Sequence, residues 1–384
     1  MRPSVSQGTE MQPEGASSLG TAALSGAAAP SGAAAPDATE TPVRSVPAIV
    51  TAGDSRAAKA VYGKSKVYLE VEGLSLVAHV VRTLQDCPEV ESVWVVGDPA
   101  RLEEALGKKA LRDVLTKPLY IVEQQRDLIS NCWETYRRIL TGDPTQGRDP
   151  ESEADRDQEV LFMSGDLPIA TAQEFSSMIR RSQAEDVDYV LGLCPAEALD
   201  VFRPRHPGDK GITVAYFNTR DGRFRQNNLH YAKPGRIGRR ERIEEMYEMR
   251  HQRRFWNMFT LALRLLSSRV GGFKIAVLFG FMHLAGVADR NDRPKLARLL
   301  AKYVTLEINR VTISKILDTR FVLAPVESGG CALDVDTEEE YDAICEKYPK
   351  WIVEHRERSA KLHGPLAPRL EANTPSTPAS EDLK

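Results

Sequence analysis

The chain of 384 residues is longer than a typical single domain, which predicts two domains or one large domain with an insertion. Hydrophobic residues make up 42% of it, enough for a substantial core, and the net charge of −3 gives no overall argument for nucleic-acid or membrane binding. The five cysteines form no Cys-x-x-Cys pair and no even framework. We therefore expect reduced thiols of a cytoplasmic protein rather than disulfides or zinc ligands.

Both ends of the chain have compositions typical of disordered tails. Residues 1–45 are dominated by Ala, Ser, Gly, Pro and Thr, and residues 359–384 are rich in Pro, Ser, Ala and Glu. Such segments carry too little large apolar surface to offset the entropy lost on ordering. The first segment also lacks a basic start followed by an apolar block, so we do not expect a secretory signal.

The most informative segment is the beginning of the predicted folded part. An apolar β-type run at 47–50 ends in the small residues 51–55, and Arg56 and Lys66 follow before a second β-type run at 67–71. Small residues after a strand let the backbone turn tightly and bring several N–H groups close to an anion. Two cations near the same point can hold a polyphosphate through its oxygens. The residues predicted here to bind phosphate groups, such as those of a nucleotide, are Ala52, Gly53, Ser55, Arg56 and Lys66.

Strand and helix patterns then alternate as far as residue 202. Short apolar strand-like runs at 93–96, 120–122, 160–163 and 189–193 are separated by segments with helical spacing of apolar residues. This alternation predicts a doubly wound α/β core at 46–202, with a mostly parallel sheet covered on both faces. Ligands then bind at the carboxyl ends of the strands.

Past residue 202 the alternation breaks. Two strand-like runs flank Asp221-Gly222, a strong signal for a β-hairpin. Basic and apolar stretches follow, and strand character returns only around residue 321. We therefore interpret residues 203–320 as an α+β insertion ahead of the last core element at 321–358. It would form a lid or bind a second substrate, the acceptor.

Two features of this insertion bear on binding partners. Arg223 and Arg225 border the hairpin, where they can bind an anionic acceptor, although runs of charge are more often solvated faces. The apolar stretch at 273–288 is too short and too interrupted for a secure membrane span. We expect a buried helix there, with peripheral membrane contact as the alternative.

Two acidic segments complete the set of candidates. Asp166 follows the apolar run at 160–163, so its carboxylate is expected in the ligand-binding crevice at the carboxyl ends of the strands. Mg²⁺ can bind one or two carboxylates there together with phosphate oxygens. A helix N-cap or turn is the alternative role for Asp166. Near the end of the core, Thr337 and Glu340 have the spacing of a capping box, so a helix should begin there.

Taken together, these segments resemble the MobA-like nucleotidyltransferases. The opening resembles that family's strand, glycine-rich loop, Arg and Lys, although Ala52 replaces one glycine and Asp54 adds a carboxylate. The segment 164–168 (Ser-Gly-Asp-Leu-Pro) resembles the family's Gly-Asp-x-Pro metal motif. The segment 334–341 resembles its closing Asp-x-Asp-Thr-Pro motif, with Glu338 in place of Pro. The resemblance covers about 46–194 and 332–351, and leaves the insertion unmatched.

The resemblance implies a Rossmann-like nucleotidyltransferase core. It implies Mg²⁺-dependent transfer of a nucleoside monophosphate from an NTP to a phosphorylated small-molecule acceptor, with release of pyrophosphate. Lys66 and Arg56 would be the catalytic contacts to the donor phosphates. Asp166 and Asp334 would hold the metal, with Asp336 as the alternative second ligand.

The resemblance also suggests a role for Ser130. Ser130 lies where relatives contact the base and ribose, although a Ser in the first turn of a helix is more often part of a cap.

Two other functions stay open, a nucleotide-sugar glycosyltransferase of similar fold and a catalytically inactive nucleotide-binding or scaffold module. The partners expected are an NTP and a phosphorylated acceptor, with no nucleic acid.

Overall fold

A computed structural model describes residues 43–54, 60–243, 272–291 and 293–366. Most of the two predicted tails lies outside the described residues, as do Ser55 and Arg56. The strands are β1 (Val46–Ala52), β2 (Ala60–Val61), β3 (Lys64–Ser65), β4 (Glu70–Val71), β5 (Leu74–Ser75), β6 (Val90–Gly97), β7 (Leu119–Glu123), β8 (Val160–Ser164), β9 (Tyr189–Pro195), β10 (Phe217–Thr219), β11 (Gly222–Ala232) and β12 (Phe321–Pro325). The helices are α1 (Leu76–Gln85), α2 (Pro99–Leu106), α3 (Lys109–Arg112), α4 (Leu128–Ile139), α5 (Glu153–Arg156), α6 (Ala172–Ala184), α7 (Ala196–Leu199), α8 (Gly272–Arg290), α9 (Pro294–Ala301), α10 (Leu306–Leu317) and α11 (Glu338–His363).

The described strands build an eight-stranded central sheet. Its order is β12-β9-β11-β8-β1-β6-β7, and β10 pairs with β11 off this path. The strand pairs along the path are parallel except the two made by β11, which runs antiparallel to β8 and to β9. The predicted mostly parallel α/β sheet is therefore confirmed.

The central strand β1 is covered on both faces, as its unbroken apolar sequence requires. Ala48 and Val50 belong to the core that includes α1 and α6. Ile49, between them, belongs to a second core with Tyr136 of α4. Alternate side chains of a strand lie on opposite faces, so helices cover both sides of the sheet, as in a doubly wound fold.

The Asp-Gly turn of the predicted insertion lies at the tip of the β10–β11 hairpin. Gly222 there has φ of 146°, a conformation that glycine adopts readily. Strand β11 does not lie apart from the core, because it pairs along β8 and β9 within the central sheet. Part of 203–320 thus belongs to the core sheet, while the boundaries of the domains stay a prediction.

The apolar stretch predicted to be a buried helix forms α8. Ala285 and Ala288 are buried, but Val277 is 40% exposed and Leu284 54% exposed. The prediction is wrong for these positions, because the contacts of α8 with α9 and β10 leave these two side chains exposed. No helix among the described residues is long and apolar enough to cross a membrane.

The last helix extends beyond the predicted end of the core. Helix α11 begins with the expected capping box of Thr337 and Glu340 and runs to His363. Residues 359–363, assigned by composition to the tail, are therefore helical. Ser359 is fully buried and accepts a hydrogen bond from the hydroxyl of Thr171 at 2.9 Å, which anchors this end of α11 to the start of α6.

Three of the five cysteines have structural rather than reactive surroundings. All five are free thiols, and Cys87, Cys194 and Cys331 are buried. Burial raises the pKa of each of these three thiols above its ordinary value. Because the thiolate is the form that binds metals and attacks electrophiles, these thiols are poor ligands and nucleophiles.

A buried carboxylate joins α6, α11 and the segment that leads to Asp334. Glu174 accepts a hydrogen bond from the N–H of Thr171 at 2.9 Å and from the N–H of Cys331 at 3.2 Å. Nε2 of His355 lies 3.4 Å from the same carboxylate. Burial by itself raises the pKa of Glu174, but His355 and the backbone donors outweigh it and lower the pKa to about 2.

Replacing Glu174 by Gln is expected to lower the free energy of unfolding by about 3 kcal/mol at neutral pH, because one partner of a buried pair is lost. The folded pKa lies below the ordinary value of about 4.5, so the ionised carboxylate stabilises fully above that pH. Its contribution is lost as the pH falls towards 2. Thermal unfolding of both proteins across this range should show the difference shrinking. Glu185→Gln, at the end of the same helix, is the control, and equal stability of Glu174→Gln and wild type would contradict the assignment.

Candidate active site

The candidate site lies where the chain changes direction across the sheet. From β1 it moves outward to β6 and β7, and then returns to β8 on the other side of β1. Ligands bind at such topological switch points in open α/β sheets. The N–H of Gly165, just after β8, donates to the carbonyl of Thr51 at 2.9 Å, and a Cβ on Gly165 would come within 3.2 Å of that oxygen. A glycine therefore lets this loop lie against β1 and brings Asp166 to the switch point.

The carboxylate of Asp166 is fully buried. It accepts a short hydrogen bond from the hydroxyl of Ser164, and Nζ of Lys66 lies 2.5 Å from its Oδ2. Burial raises the pKa of Asp166, Lys66 lowers it, and the nearby Asp334 raises it again, so that the pKa lies above its usual value. Lys66 thus compensates the buried negative charge only in part.

Lys66 lies in a single 3₁₀ turn (Lys66–Tyr68) between two small hairpins. The hairpins β2–β3 and β4–β5 turn at 62–63 and at 72–73, and all four turn residues have positive φ. This is the pattern of type I′ turns. The predicted strand at 67–71 is therefore wrong except for its last two residues, because the hairpins reverse the chain on both sides of the turn.

The first turns of α11 hold these hairpins in position. The hydroxyl of Tyr62 donates to Asp342 at 2.9 Å, and the hydroxyl of Tyr341 donates to the carbonyl of Glu70 at 2.7 Å. Helix α11 is preceded by the acidic segment of the predicted closing motif. Its start is thus fixed beside the turn that carries Lys66.

Both aspartates of the closing motif reach the site. Asp336 pairs with Nζ of Lys66 at 2.7 Å, and Asp334 pairs with Nη2 of Arg225 at 2.5 Å. Burial by itself lowers the pKa of Lys66, but Asp166 and Asp336 outweigh it and raise the pKa above its ordinary value. The pKa of Glu340, whose carboxylate accepts from the N–H of Asp336, is raised by burial and by the two aspartates.

The donor set fits a hard divalent cation. Ligand oxygens of Asp166, Asp334 and Asp336 all lie within 4.8 Å of one another. These three carboxylates face two cations, Lys66 and Arg225, so the cluster keeps an excess of negative charge. Mg²⁺ takes oxygen ligands and combines one or two carboxylates with phosphate oxygens and water. We call these five residues the acidic cluster.

The loop after β1 is held in place by Arg101 and Gln124, two residues that the sequence analysis did not identify. Asp54 forms an ion pair with Arg101 of α2, and Gln124 donates to its Oδ1 at 2.7 Å. The guanidinium of Arg101 also lies 4.0 Å from the ring centroid of Tyr68, so it joins this loop to the turn of Lys66. Gln124 follows β7 directly. Because ligands bind at the carboxyl ends of parallel strands, its position in the sequence could have identified it. The negative charge of Asp54 is thus compensated by Arg101.

Of the predicted nucleotide-binding residues in this loop, Ala52 is buried at the end of β1 and Gly53 follows it. A Cβ on Gly53 would lie 3.3 Å from the amide nitrogen of Asn131, a buried residue of α4. Ser130 lies in the first turn of α4, where its N–H and hydroxyl both donate to Asp127, at 2.8 and 2.9 Å. These contacts give Ser130 a structural task at the helix start.

The two predicted acceptor arginines lie in different surroundings. Arg225 is mostly buried, and its Nε also donates to the carbonyl of Ala332 at 2.8 Å. Arg223 is 45% exposed and pairs with Asp289 of α8 at 3.1 Å. Only Arg225 therefore belongs to the acidic cluster.

A separate cavity of about 620 Å³ lies at the opposite end of the strands. Its lining is charged and largely paired internally, as in Arg320 with Asp188 at 2.5 Å and Arg236 with Asp157 at 2.8 Å. These residues flank the amino ends of the parallel strands. They stabilise one another and are remote from the switch point.

No protein-family model matches this chain, and no curated protein sequence matches it. Solved structures that are similar include a hypothetical transferase from Thermus thermophilus, at 18% identity and a TM-score of 0.46, covering 77% of this chain and 99% of that one. A 4-diphosphocytidyl-2C-methyl-D-erythritol synthase from Anaerococcus prevotii has 14% identity and a TM-score of 0.40, covering 80% and 100%. A CMP:2-keto-3-deoxy-manno-octonic acid synthetase complexed with CTP has 13% identity and a TM-score of 0.40, covering 80% and 99%. Identities and scores this low carry no functional argument.

Proposed function

We propose that the protein is a Mg²⁺-dependent nucleotidyltransferase that moves a nucleoside monophosphate from an NTP to a phosphorylated small-molecule acceptor and releases pyrophosphate. The observation that carries the proposal is the meeting of Lys66, Asp166 and the Asp334–Asp336 pair at one switch point. The three segments are far apart in the sequence. Each matches a segment of the resemblance to MobA-like nucleotidyltransferases.

The chemistry needs alignment and charge neutralisation more than it needs acid–base groups. The acceptor phosphate is ionised at neutral pH, so its oxygen can attack the α-phosphorus in line without a general base. Asp166 and Asp334 or Asp336 would hold Mg²⁺, which when bound neutralises charge on the phosphates. In this proposal Lys66 binds the donor triphosphate together with Arg56, a residue outside the described part of the chain.

Arg225 is the better candidate for binding the acceptor. Its guanidinium carries five N–H donors, and contacts to Ala332 and Asp334 fix its orientation. The remaining donors can bind an anion in the fork geometry that suits phosphate. Arg223 is exposed and lies against α8, so we assign it no role in the transfer step.

The two other functions make different demands on these residues. A nucleotide-sugar glycosyltransferase of similar fold would leave Lys66 and Arg56 without a clear task. An inactive module is favoured by the carboxylate of Asp54, because a negative charge in the loop after β1 would repel the phosphates of a nucleotide. The ion pair of Asp54 with Arg101 removes much of that objection, because the charge is compensated.

A pyrophosphate-release assay separates the three functions. The protein would be incubated with each of the four NTPs, Mg²⁺ and a panel of sugar and polyol phosphates, and in parallel reactions with nucleotide-sugars in place of the NTPs. Nucleotidyl transfer gives pyrophosphate that depends on both NTP and acceptor. A glycosyltransferase would instead consume nucleotide-sugars without releasing pyrophosphate, and an inactive module would consume neither. A thermal-shift screen of the same ligands would identify the base, since ligand at 100 times its Kd adds about 2.7 kcal/mol.

Replacing Arg225 by Gln is expected to raise the KM for the acceptor about ten- to hundredfold, because a charge-assisted hydrogen bond is lost. The KM for NTP should change little. Steady-state kinetics with each substrate varied in turn would measure both, and Arg223→Gln is the matched control on the same strand. If Arg225→Gln raised only the KM for NTP, Arg225 would act through Asp334 on the donor and not bind the acceptor.

A further inference from the structure

Helix α9 exposes an apolar stripe on the protein surface. It packs against the protein through the small residues Ala297 and Ala301, which are buried. Its larger side chains remain outside: Leu296 is 41% exposed, Leu299 is 60% exposed, and Tyr303, just after the helix, is 58% exposed. Spacings of three and four residues put these three on one face.

A basic stripe runs beside the apolar one. Lys295, Arg298 and Lys302 have the same spacing and are all exposed. Among the contacts of the described residues, none of the three pairs with a carboxylate. The sequence from Arg293 to Val304 contains no acidic residue. The positive charge here is therefore local, in a chain whose net charge is −3.

Helix α8 continues the apolar stripe. The rings of Phe281 and Tyr303 lie 5.2 Å apart, which joins the two helices. Val277 and Leu284 of α8 are exposed and are seven residues apart, so they share one face. We call this region the α8–α9 surface, defined by its exposed apolar and basic residues: Val277, Leu284, Leu296, Leu299, Tyr303, Lys295, Arg298 and Lys302.

We propose that the α8–α9 surface docks the protein on an anionic membrane. A helix with large apolar side chains on one stripe and Lys or Arg on the next can lie in the plane of a bilayer surface. The apolar side chains enter the boundary between headgroups and acyl chains, while the long basic side chains reach anionic headgroups. The charge of the stripe is complementary to such a surface. Among the described residues no carboxylate neutralises it, although Nε of Arg298 donates to the carbonyl of Pro294.

The position of this surface gives docking a consequence for the site. Arg223 of β11 pairs with Asp289 of α8, and the N–H of Leu306 at the start of α10 donates to Asp221 in the hairpin at 2.7 Å. Two residues along β11, Arg225 contacts Asp334. Two residues of strand span only about 7 Å. Docking would therefore hold a part of the protein that contacts β11 close to the acidic cluster, whatever reaction occurs there.

Sedimentation of the full chain with liposomes tests the proposal. We expect binding to vesicles of phosphatidylcholine with about a third phosphatidylserine, and none to phosphatidylcholine alone. Each cation near an anionic surface contributes roughly a fivefold factor. Removing three should weaken binding about a hundredfold, and removing the two most exposed apolar side chains should also release the protein. The charge variant is Lys295→Gln with Arg298→Gln and Lys302→Gln, and the apolar variant is Leu299→Ser with Tyr303→Ser.

A charge variant elsewhere on the surface is the matched control. Three exposed cations outside this region can be changed to Gln in the same number, namely Lys109, Arg112 and Arg356. The control should bind anionic vesicles as the wild type does, and circular dichroism should show that all variants stay folded. Three outcomes would overturn the proposal. These are failure of the wild type to bind anionic vesicles, equal binding of the charge variant and the wild type, or a dimer in size-exclusion chromatography that the apolar variant dissociates.

Discussion

Replacing Asp166 by Asn is expected to abolish nucleotidyl transfer while the protein stays as stable as the wild type or becomes more stable. Loss of a metal carboxylate removes several kcal/mol of charge stabilisation, which corresponds to more than roughly a hundredfold in rate. The neutral amide is easier to bury, and burial raises the pKa of Asp166 in the folded protein. Pyrophosphate release and thermal unfolding, measured on the same preparation, check both parts.

The rate of turnover distinguishes this role from a turn or helix-cap role. An Asp that only shaped the loop would leave turnover nearly intact when replaced by Asn. Asp98→Asn is the matched control, since Asp98 also follows a strand of the sheet and caps α2 through the N–H of Arg101 at 3.0 Å. Turnover of Asp166→Asn above about a tenth of the wild-type rate would remove Asp166 from the metal site, since a tenfold loss is only about 1.4 kcal/mol.

Replacing Lys66 by Met is expected to weaken NTP binding about ten- to hundredfold and NMP binding much less. A Lys in this position acts as a point charge on the outer phosphates, which an NMP lacks. Loss of one charge-assisted contact is worth roughly 1.5–3 kcal/mol. Calorimetric titration with NTP and NMP in the presence of Mg²⁺ measures the two affinities. Lys64→Met, an exposed lysine two residues earlier, is the control.

The structure adds a second expectation for Lys66→Met. Lys66 pairs with both Asp166 and Asp336, so its loss leaves the three carboxylates with Arg225 as the remaining cation of the acidic cluster. Without metal the variant should be less stable than the wild type, and Mg²⁺ should raise its Tm more. If NTP and NMP affinities fell equally while Mg²⁺ restored stability, Lys66 would be a counterion of the carboxylates and not a phosphate ligand.

Local signals in the sequence determined much of the fold. The apolar runs of β1, β6, β8 and β9 are buried strands, because an unbroken run of such residues suits a parallel strand covered on both faces. The Asp-Gly turn and the capping box of α11 also form where their sequences predict them. Each signal depends on residues within one turn or one hairpin. Asp166 directly follows one of these strands, and ligands bind at the carboxyl ends of such strands, so the sequence also indicated Asp166 as a candidate for the site.

The turn of Lys66 could not be derived from such signals. Its two hairpins depend on Tyr62 and Glu72 at positive φ, a conformation that neither residue type favours. Tertiary contacts help hold it, since the hydroxyl of Tyr62 donates to Asp342 of α11. The β-type composition of 67–71 therefore predicted a longer strand than the one that forms.

The arrangement of the site was decided by tertiary structure alone. Lys66 meets Asp336 across 270 residues of chain, and Arg225 meets Asp334 across 109. The second contact exists because β11 enters the sheet antiparallel between β8 and β9, a pairing that no local pattern specifies. Propensity and periodicity act over a few residues, whereas the register of distant strands fixes which charges meet. The sequence thus determined the candidate carboxylates and cations, and the packing of β11 and α11 decided which of them form one cluster.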